Sequence, residues 1–311
     1  MLGKTAGGVF WMFRYLERSE NTARLIETGF RIALTHPGGD EWESVLQTAV
    51  VAEAYHAEHA GVEQSDVIDF MLRGKSNPSS VLNCITQARQ NARLVRTSIT
   101  SEVWEAVNDT YMRTKQALAR PVRERDLPEV LAMIRQQAAL VRGALHGSML
   151  RNDVFDFARL GTFLERADNT ARILDVKYYV LLPSVSLVGS SLDNVQWETI
   201  LRSVSGQRAF AWLHQGKTTP KAIADFLIFD PRMPRGLRYT VTKIRSNLEM
   251  LENSYAERHA CQDTAESLDR RLQTSRVDDV FDEGLHEFLT GFLNNIGQLA
   301  HEIETGYRFH G

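Results

Sequence analysis

The sequence predicts an all-α fold made of two copies of one helical unit, packed about a pseudo-two-fold axis. Three observations carry that expectation. Residues 16–26 read LERSENTARLI and residues 164–174 read LERADNTARIL, 148 positions later. Apolar residues recur at steps of three, four and seven over long stretches, the period of a helix face. Only eight prolines interrupt 311 residues, so few helices need break. Each half, residues 1–150 and 151–311, is expected to hold about five or six helices. No Gly/Ser/Pro-rich linker divides them, so the halves are expected to share one core.

The first helix is read from Val9, Phe13, Leu16, Ala23, Phe30 and Leu34, which draw an apolar stripe along one side. His36-Pro37-Gly38-Gly39 ends it, because proline and paired glycines break a helix. A second helix is expected from about Glu41 to Ala60, and a short one over 65–73. Pro78 is placed as the first residue of a long helix, where its missing N–H costs nothing. Thr100 or Ser101 caps the next, around Trp104, which must stop before Pro121. The last helix of this half runs from about Pro128 to Leu145.

The second half repeats the plan. Trp42-Glu-Ser-Val-Leu returns as Trp197-Glu-Thr-Ile-Leu, Asp69-Phe-Met-Leu as Asp225-Phe-Leu-Ile, and Pro78 as Pro234. Arg89 and Asn91 return as Arg245 and Asn247. The offset drifts from 148 to 156, as connecting loops take up insertions while helices keep register. The two opening helices, about 7–35 and 155–183, are expected to meet near the axis and bring Glu17, Arg24, Glu165 and Arg172 together.

Composition narrows the function. Hydrophobic residues make up 43% and charged residues 24% of the chain, the balance of a chain that buries a core. A net charge of −3 does not fit a general nucleic-acid binder, which gathers a basic excess. The opening MLGKTAGGVFWMFRYLER has no apolar run of signal-peptide length, and no stretch approaches a membrane span. Cys84 and Cys261 fall at unmatched places in the two halves, which reads as two idle thiols in a reducing compartment. The expected location is the cytoplasm.

Chemistry is sought where the copies agree. On a helix Arg14, Glu17, Asn21 and Arg24 form one polar ridge. Glu165, Asn169 and Arg172 repeat it, with Thr162 in place of Arg14. Arg18 and Arg166 lie off the ridge, about 100° around the helix from the glutamates. Glu20 and Asp168 precede Arg24 and Arg172 by four residues, the spacing of an intrahelical ion pair. A solvated face would accept any mixture of charges, yet both copies keep arginine, whose planar fork holds a carboxylate or phosphate bidentately. Two readings stay open. The residues either form an inter-helix Glu–Arg network that pins the opening helices together, or they form a ligand site. As a site, Glu17 and Glu165 would act as acid and base, with Arg14, Arg18, Asn21, Arg24, Arg166, Asn169 and Arg172 binding substrate.

Other constellations are weaker. Glu53/His56 and Glu283/His286 have the Glu-x-x-His spacing of di-metal bundles. They lie on non-equivalent helices, so no metal and no cofactor is expected. Arg232, Arg235 and Arg238 surround Pro234, and Arg89, Arg93 and Arg96 line the equivalent helix, where surface pairing with acids is the simpler reading. There is no P-loop, GxGxxG, GxSxG or Cys-His zinc spacing.

The stretches WMFRYLERSENTAR (11–24), NPSSVLNCITQARQNAR (77–93), SEVWEAVN (101–108), FLERADNTARILDVKYY (163–179) and FDPRMPR (229–235) resemble a family of bacterial proteins known as alpha-E, named for a helical domain with a Glu-Arg motif. Phe13 and Ser19 stand where such proteins commonly have glycine and alanine. The resemblance implies the company of a circularly permuted ATP-grasp ligase, and of a transglutaminase-like peptidase nearby. It thereby implies a helical accessory or substrate-handling part in making or modifying peptides through amide bonds. A free-standing amide-forming or amide-breaking enzyme, and a scaffold without a small-molecule site, are the alternatives.

Overall fold

A computed structural model describes residues 1–35, 41–179, 191–214 and 218–310 of the chain. Among them the regular structure is helical, with no strand. The first series comprises α1 (Gly3–Thr35), α2 (Glu41–Thr48), α3 (Ala52–His56), α4 (Gln64–Arg73), α5 (Val81–Leu94), α6 (Ser101–Ala117) and α7 (Leu127–Ser148). The second comprises α8 (Asp153–Tyr179), α9 (Ser191–Ser203), α10 (Gln207–His214), α11 (Pro220–Phe229), α12 (Leu237–Tyr255), α13 (Ala260–Thr274), α14 (Val277–Glu283) and α15 (Leu285–Gly306). The all-α expectation holds. No described helix is long and apolar enough to cross a membrane.

Local chemistry explains most boundaries. Thr100 caps α6 by accepting the Val103 amide on its hydroxyl. Pro128 sits in the first turn of α7. Pro78 does not open α5. Ser80 is the N-cap, and Pro78 belongs to the turn before it, just as Pro234 precedes the cap Gly236 of α12. The single helix expected over 41–60 is two, α2 and α3. Val50 adopts φ 57° between them, a conformation unusual for a β-branched residue and invisible to periodicity. The expected break at 36–39 and the end of the second opening helix at 180–183 lie outside the described residues.

α1 and α8 run together through the interior. α1 packs on α8, α5 and α7; α8 packs on α12 and α15; α2 also touches α8, and α9 touches α1. This crowding explains why α1 buries more than its stripe. Phe10, Met12, Glu17 and Glu20 are buried along with Val9, Phe13, Leu16 and Ala23, whereas Leu34 is exposed. The two helices approach closely at Gly161, where a Cβ would lie 2.2 Å from the carbonyl oxygen of Phe10. Phe10, Phe157 and Phe309 meet edge-on or tilted around this crossing, and each buried ring of this size contributes on the order of 2–3 kcal/mol.

Cys84 and Cys261 are buried free thiols, and burial pushes both up to about 12. The thiolate is the reactive form. A maleimide at pH 7 is therefore expected to leave both unmodified in the folded chain and to label both in denaturant, read by intact mass. Rapid labelling of the folded protein would show that α5 or α13 opens.

Candidate functional site

The repeated phrases lie side by side on α1 and α8, and the glutamate of each reaches an arginine of the other. Glu17 accepts from Arg166 through Nε at 2.9 Å and Nη2 at 3.1 Å. Glu165 accepts from Arg18 through Nε at 2.6 Å and Nη2 at 2.9 Å. These are the two arginines that helix geometry puts off the glutamate ridge. A residue 100° away becomes the contact residue when two helices cross closely and their facing sides are not those of the ridge.

Around each glutamate the lattice differs. Arg235 donates to Glu17 at 3.0 Å, to Asn21 at 3.1 Å and to Glu20 at 2.6 Å. Arg142 from α7 donates to Glu17 at 3.1 Å and forms an ion pair with Glu20 at 2.5 Å. Arg24 clamps Glu20 four residues back, through Nε at 3.0 Å and Nη2 at 2.7 Å, and reaches Ser205 at 2.6 Å. Glu17 and Glu20 are each 1% exposed. Among the described residues Glu165 has only Arg18 and Arg14, the latter at 3.1 Å and stacked on Trp11. Asp168 has Arg172, at 2.7 and 3.0 Å.

Burial alone would raise these carboxyls, but the arginines outweigh it. Arg166, Arg235 and Arg142 hold Glu17 well below the usual carboxylate range. Arg18 and Arg14 do the same for Glu165, and Arg235, Arg142 and Arg24 for Glu20 despite the charge of Glu17. Both motif glutamates are thus fixed anions. Burial in turn holds Arg235 down, at about 10, against the pull of Glu17.

A polar cavity of about 210 Å³ opens between α1 and α8. Arg18, Asn21 and Thr22 line it from α1, and Glu165, Asp168, Asn169 and Arg172 from α8. The turn at Val50 closes one side, and the loop before α5 another. That loop is held firmly. Asn77 donates to Phe70 O, the Ser79 amide donates to Asn77 Oδ1 at 2.9 Å, and Asn83 donates to Asn77 O at 2.8 Å. The buried Nδ2 of Asn21 has no partner among the described residues, an exception that calls for a reason. Both signs of charge on rigid walls suit an ionic ligand group.

The expected cluster of Glu17, Arg24, Glu165 and Arg172 is therefore divided. Glu165 and Arg172 face the cavity, with Arg18, Asn21 and Asn169. Glu17, Arg24 and Arg166 belong to the closed lattice around Arg235, while Arg14 braces Glu165 from behind. Sequence reasoning missed Arg142 and Ser79 and read Arg235 as a surface arginine. Its only available signal was the Pro78/Pro234 match, which sets Ser79 opposite Arg235. Arg232 pairs with Asp230 at the surface, as expected of that stretch. Of the Glu-x-x-His histidines, His56 meets Glu43 and His286 meets Asp175. Among the described residues no group of three or more His, Cys, Asp or Glu is placed to hold a metal ion. A second cavity of about 380 Å³ gathers Arg24, Arg31, Arg135, Arg202 and Arg208 around Glu27, a setting of positive potential.

The family model Alpha-E, described as a predicted alpha-helical domain with a conserved ER motif, matches residues 1–307. No curated protein and no solved structure matches the chain.

Proposed function

This chain belongs to the Alpha-E family, and we propose that it is the helical, substrate-handling component of an ATP-grasp amide-ligase system. The observation that carries this reading is the cavity between α1 and α8, walled by Arg18, Glu165, Asp168 and Arg172. A general base works best with a pKa near the operating pH. The arginines around Glu165 oppose that by favouring its anion, so the motif favours holding an ionic substrate over moving its protons. Binding on rigid helices presents an amine or a carboxylate in a fixed orientation, which is what a ligase that activates a carboxylate needs from its acceptor. The link to an ATP-grasp partner, and more loosely to a transglutaminase-like peptidase, comes from the resemblance of the repeated Glu-Arg stretches. The chain would work in the compartment where ATP is at hand, the cytoplasm.

The test is reconstitution with a circularly permuted ATP-grasp ligase from the same source. The two chains are expected to elute as one stoichiometric complex at mild salt. ATP-dependent amide formation should rise at least tenfold over ligase alone, and Arg172→Ala should raise KM more than it lowers kcat. A ligase that is equally active alone and forms no complex would sink this reading.

A further inference from the structure

The two halves differ at the position that decides what fills the cavity. With Pro78 matched to Pro234, Ser79 stands where Arg235 stands. With the repeated phrases matched, Glu165, Asp168 and Asn169 stand where Glu17, Glu20 and Asn21 stand. Arg235 turns inward and its guanidinium bonds all three of Glu17, Glu20 and Asn21. The corresponding three side chains on α8 face the open cavity, and Ser79, too short to reach them as Arg235 reaches its own, lies on its wall. The turns match as well: Val50 after α2 has φ 57° and Ser205 after α9 has φ 55°. In this matching of the two halves, the cavity corresponds to the space that the Arg235 side chain occupies.

We propose that this cavity binds a guanidinium-bearing ligand of amino-acid size, held by Glu165, Asp168 and Asn169 as Arg235 is held by Glu17, Glu20 and Asn21. It rests on the reading of the cavity as a substrate site and names the chemistry of that substrate. The groups that would meet the guanidinium are underused. Among the described residues Asp168 has one arginine partner where Glu20 has three. Asn169 makes no side-chain hydrogen bond among the described residues. The crowding of guanidinium groups has a precedent in the same chain. Around Arg235 three further arginines, Arg24, Arg142 and Arg166, already face Glu17 and Glu20. Around the cavity three, Arg14, Arg18 and Arg172, face Glu165 and Asp168. A ligand guanidinium would bring the cavity to the ratio of four guanidinium groups to two carboxylates that the protein itself builds around Glu17 and Glu20. The remaining donors set the other end of the ligand. Asn21 Nδ2 is buried and unpartnered, and Arg18 and Arg172 each bond through Nε and Nη2, leaving Nη1 without a partner among the described residues. An acceptor such as the α-carboxylate of arginine, or the backbone carbonyl of an arginyl residue, satisfies them.

Calorimetric titration of the full chain at low salt with L-arginine, and with its neutral isostere L-citrulline, tests this. Arginine is expected to bind at least tenfold more tightly than citrulline. Asp168→Asn should weaken arginine at least tenfold. Ser79→Arg should abolish binding while the melting temperature stays level or rises, because the new side chain occupies the cavity from within. Should Ser79→Arg fail to fold, Asp168→Asn and citrulline still decide. Equal affinities for arginine and citrulline, or a folded Ser79→Arg chain that binds arginine as before, would overturn the proposal. The two readings fail separately: a ligase complex that functions but ignores arginine refutes this site's ligand alone, and arginine binding without any ligase complex refutes only the ligase.

Discussion

Glu17→Gln is expected to lower the melting temperature by roughly 10 °C, whereas Glu58→Gln, an exposed control, stays within about a degree or two of the parent. Glutamine keeps the shape of the site but removes the charge that neutralises Arg166, Arg235 and Arg142. Removing one partner of a buried ion pair costs about 3–5 kcal/mol, because the other charge stays buried and unpaired. In a chain of this size each kcal/mol moves the midpoint by about 2–4 °C. Glu165→Gln is milder, several degrees, since Arg18 and Arg14 are partly open to water. A double change, Glu17→Gln with Arg166→Gln, should recover part of the loss, the sign of a direct coupling. A Glu17→Gln protein that melts with the parent would show that the lattice does not hold the helices together.

The same lattice fixes the response to acid. The Glu17, Glu20 and Glu165 carboxyls lie below their ordinary 4.5 in the folded chain. The stabilisation from a depressed carboxyl is fully present above the unfolded value and is lost as pH falls below it. The parent should therefore lose stability steeply as pH drops below about 4.5, and Glu17→Gln less steeply, so their melting curves converge at low pH. Denaturation followed by circular dichroism between pH 3 and 7 reads this directly.

The helices were legible because their signals are local. The stripe through Val9, Phe13, Leu16 and Ala23 and the cap at Thr100 act within a few residues of chain, and the structure keeps them. The intrahelical pairs Glu20–Arg24 and Asp168–Arg172 were legible for the same reason. What crosses between helices was not. Periodicity fixes which residues share a face, but the angle at which α1 meets α8 depends on the small residue at Gly161 and on packing against α5, α7, α12 and α15. Helix geometry alone therefore puts Arg18 and Arg166 off the ridge, although they make the cross-helix pairs. Arg235 looked like one of three surface arginines because nothing near Pro234 in sequence reveals that Glu17 and Glu20 lie beside it. Helix α2 ended early because Val50 takes a left-handed conformation that its side chain disfavours, so propensity argued for continuation. Ser79 carries the least sequence signal of all: its meaning is the side chain it lacks.

Gly161→Ala should cost about 3 kcal/mol, at the upper end of typical overpacking losses, and should also weaken ligand binding. A Cβ there would sit 2.2 Å from the Phe10 carbonyl oxygen, 3.1 Å from its carbon and 3.3 Å from the Arg14 amide. Those are backbone atoms of a helix packed on several sides, so relief must come from moving α1 and α8 apart rather than from a rotamer change. Gly161 lies one turn before Glu165, and Phe10 two turns before Glu17. Separation at the crossing therefore stretches both cross-helix pairs, Glu17–Arg166 and Glu165–Arg18. It also parts the cavity walls, since Arg18 and Asn21 stand on α1 and Asp168 and Asn169 on α8. Loss of stability and loss of affinity should thus appear together in Gly161→Ala, whereas Gly143→Ala, at a helical site with open space around it, should stabilise slightly and bind normally. If Gly161→Ala melts and binds like the parent, the helices have room to adjust, and the cross-helix pairs do not depend on that close approach.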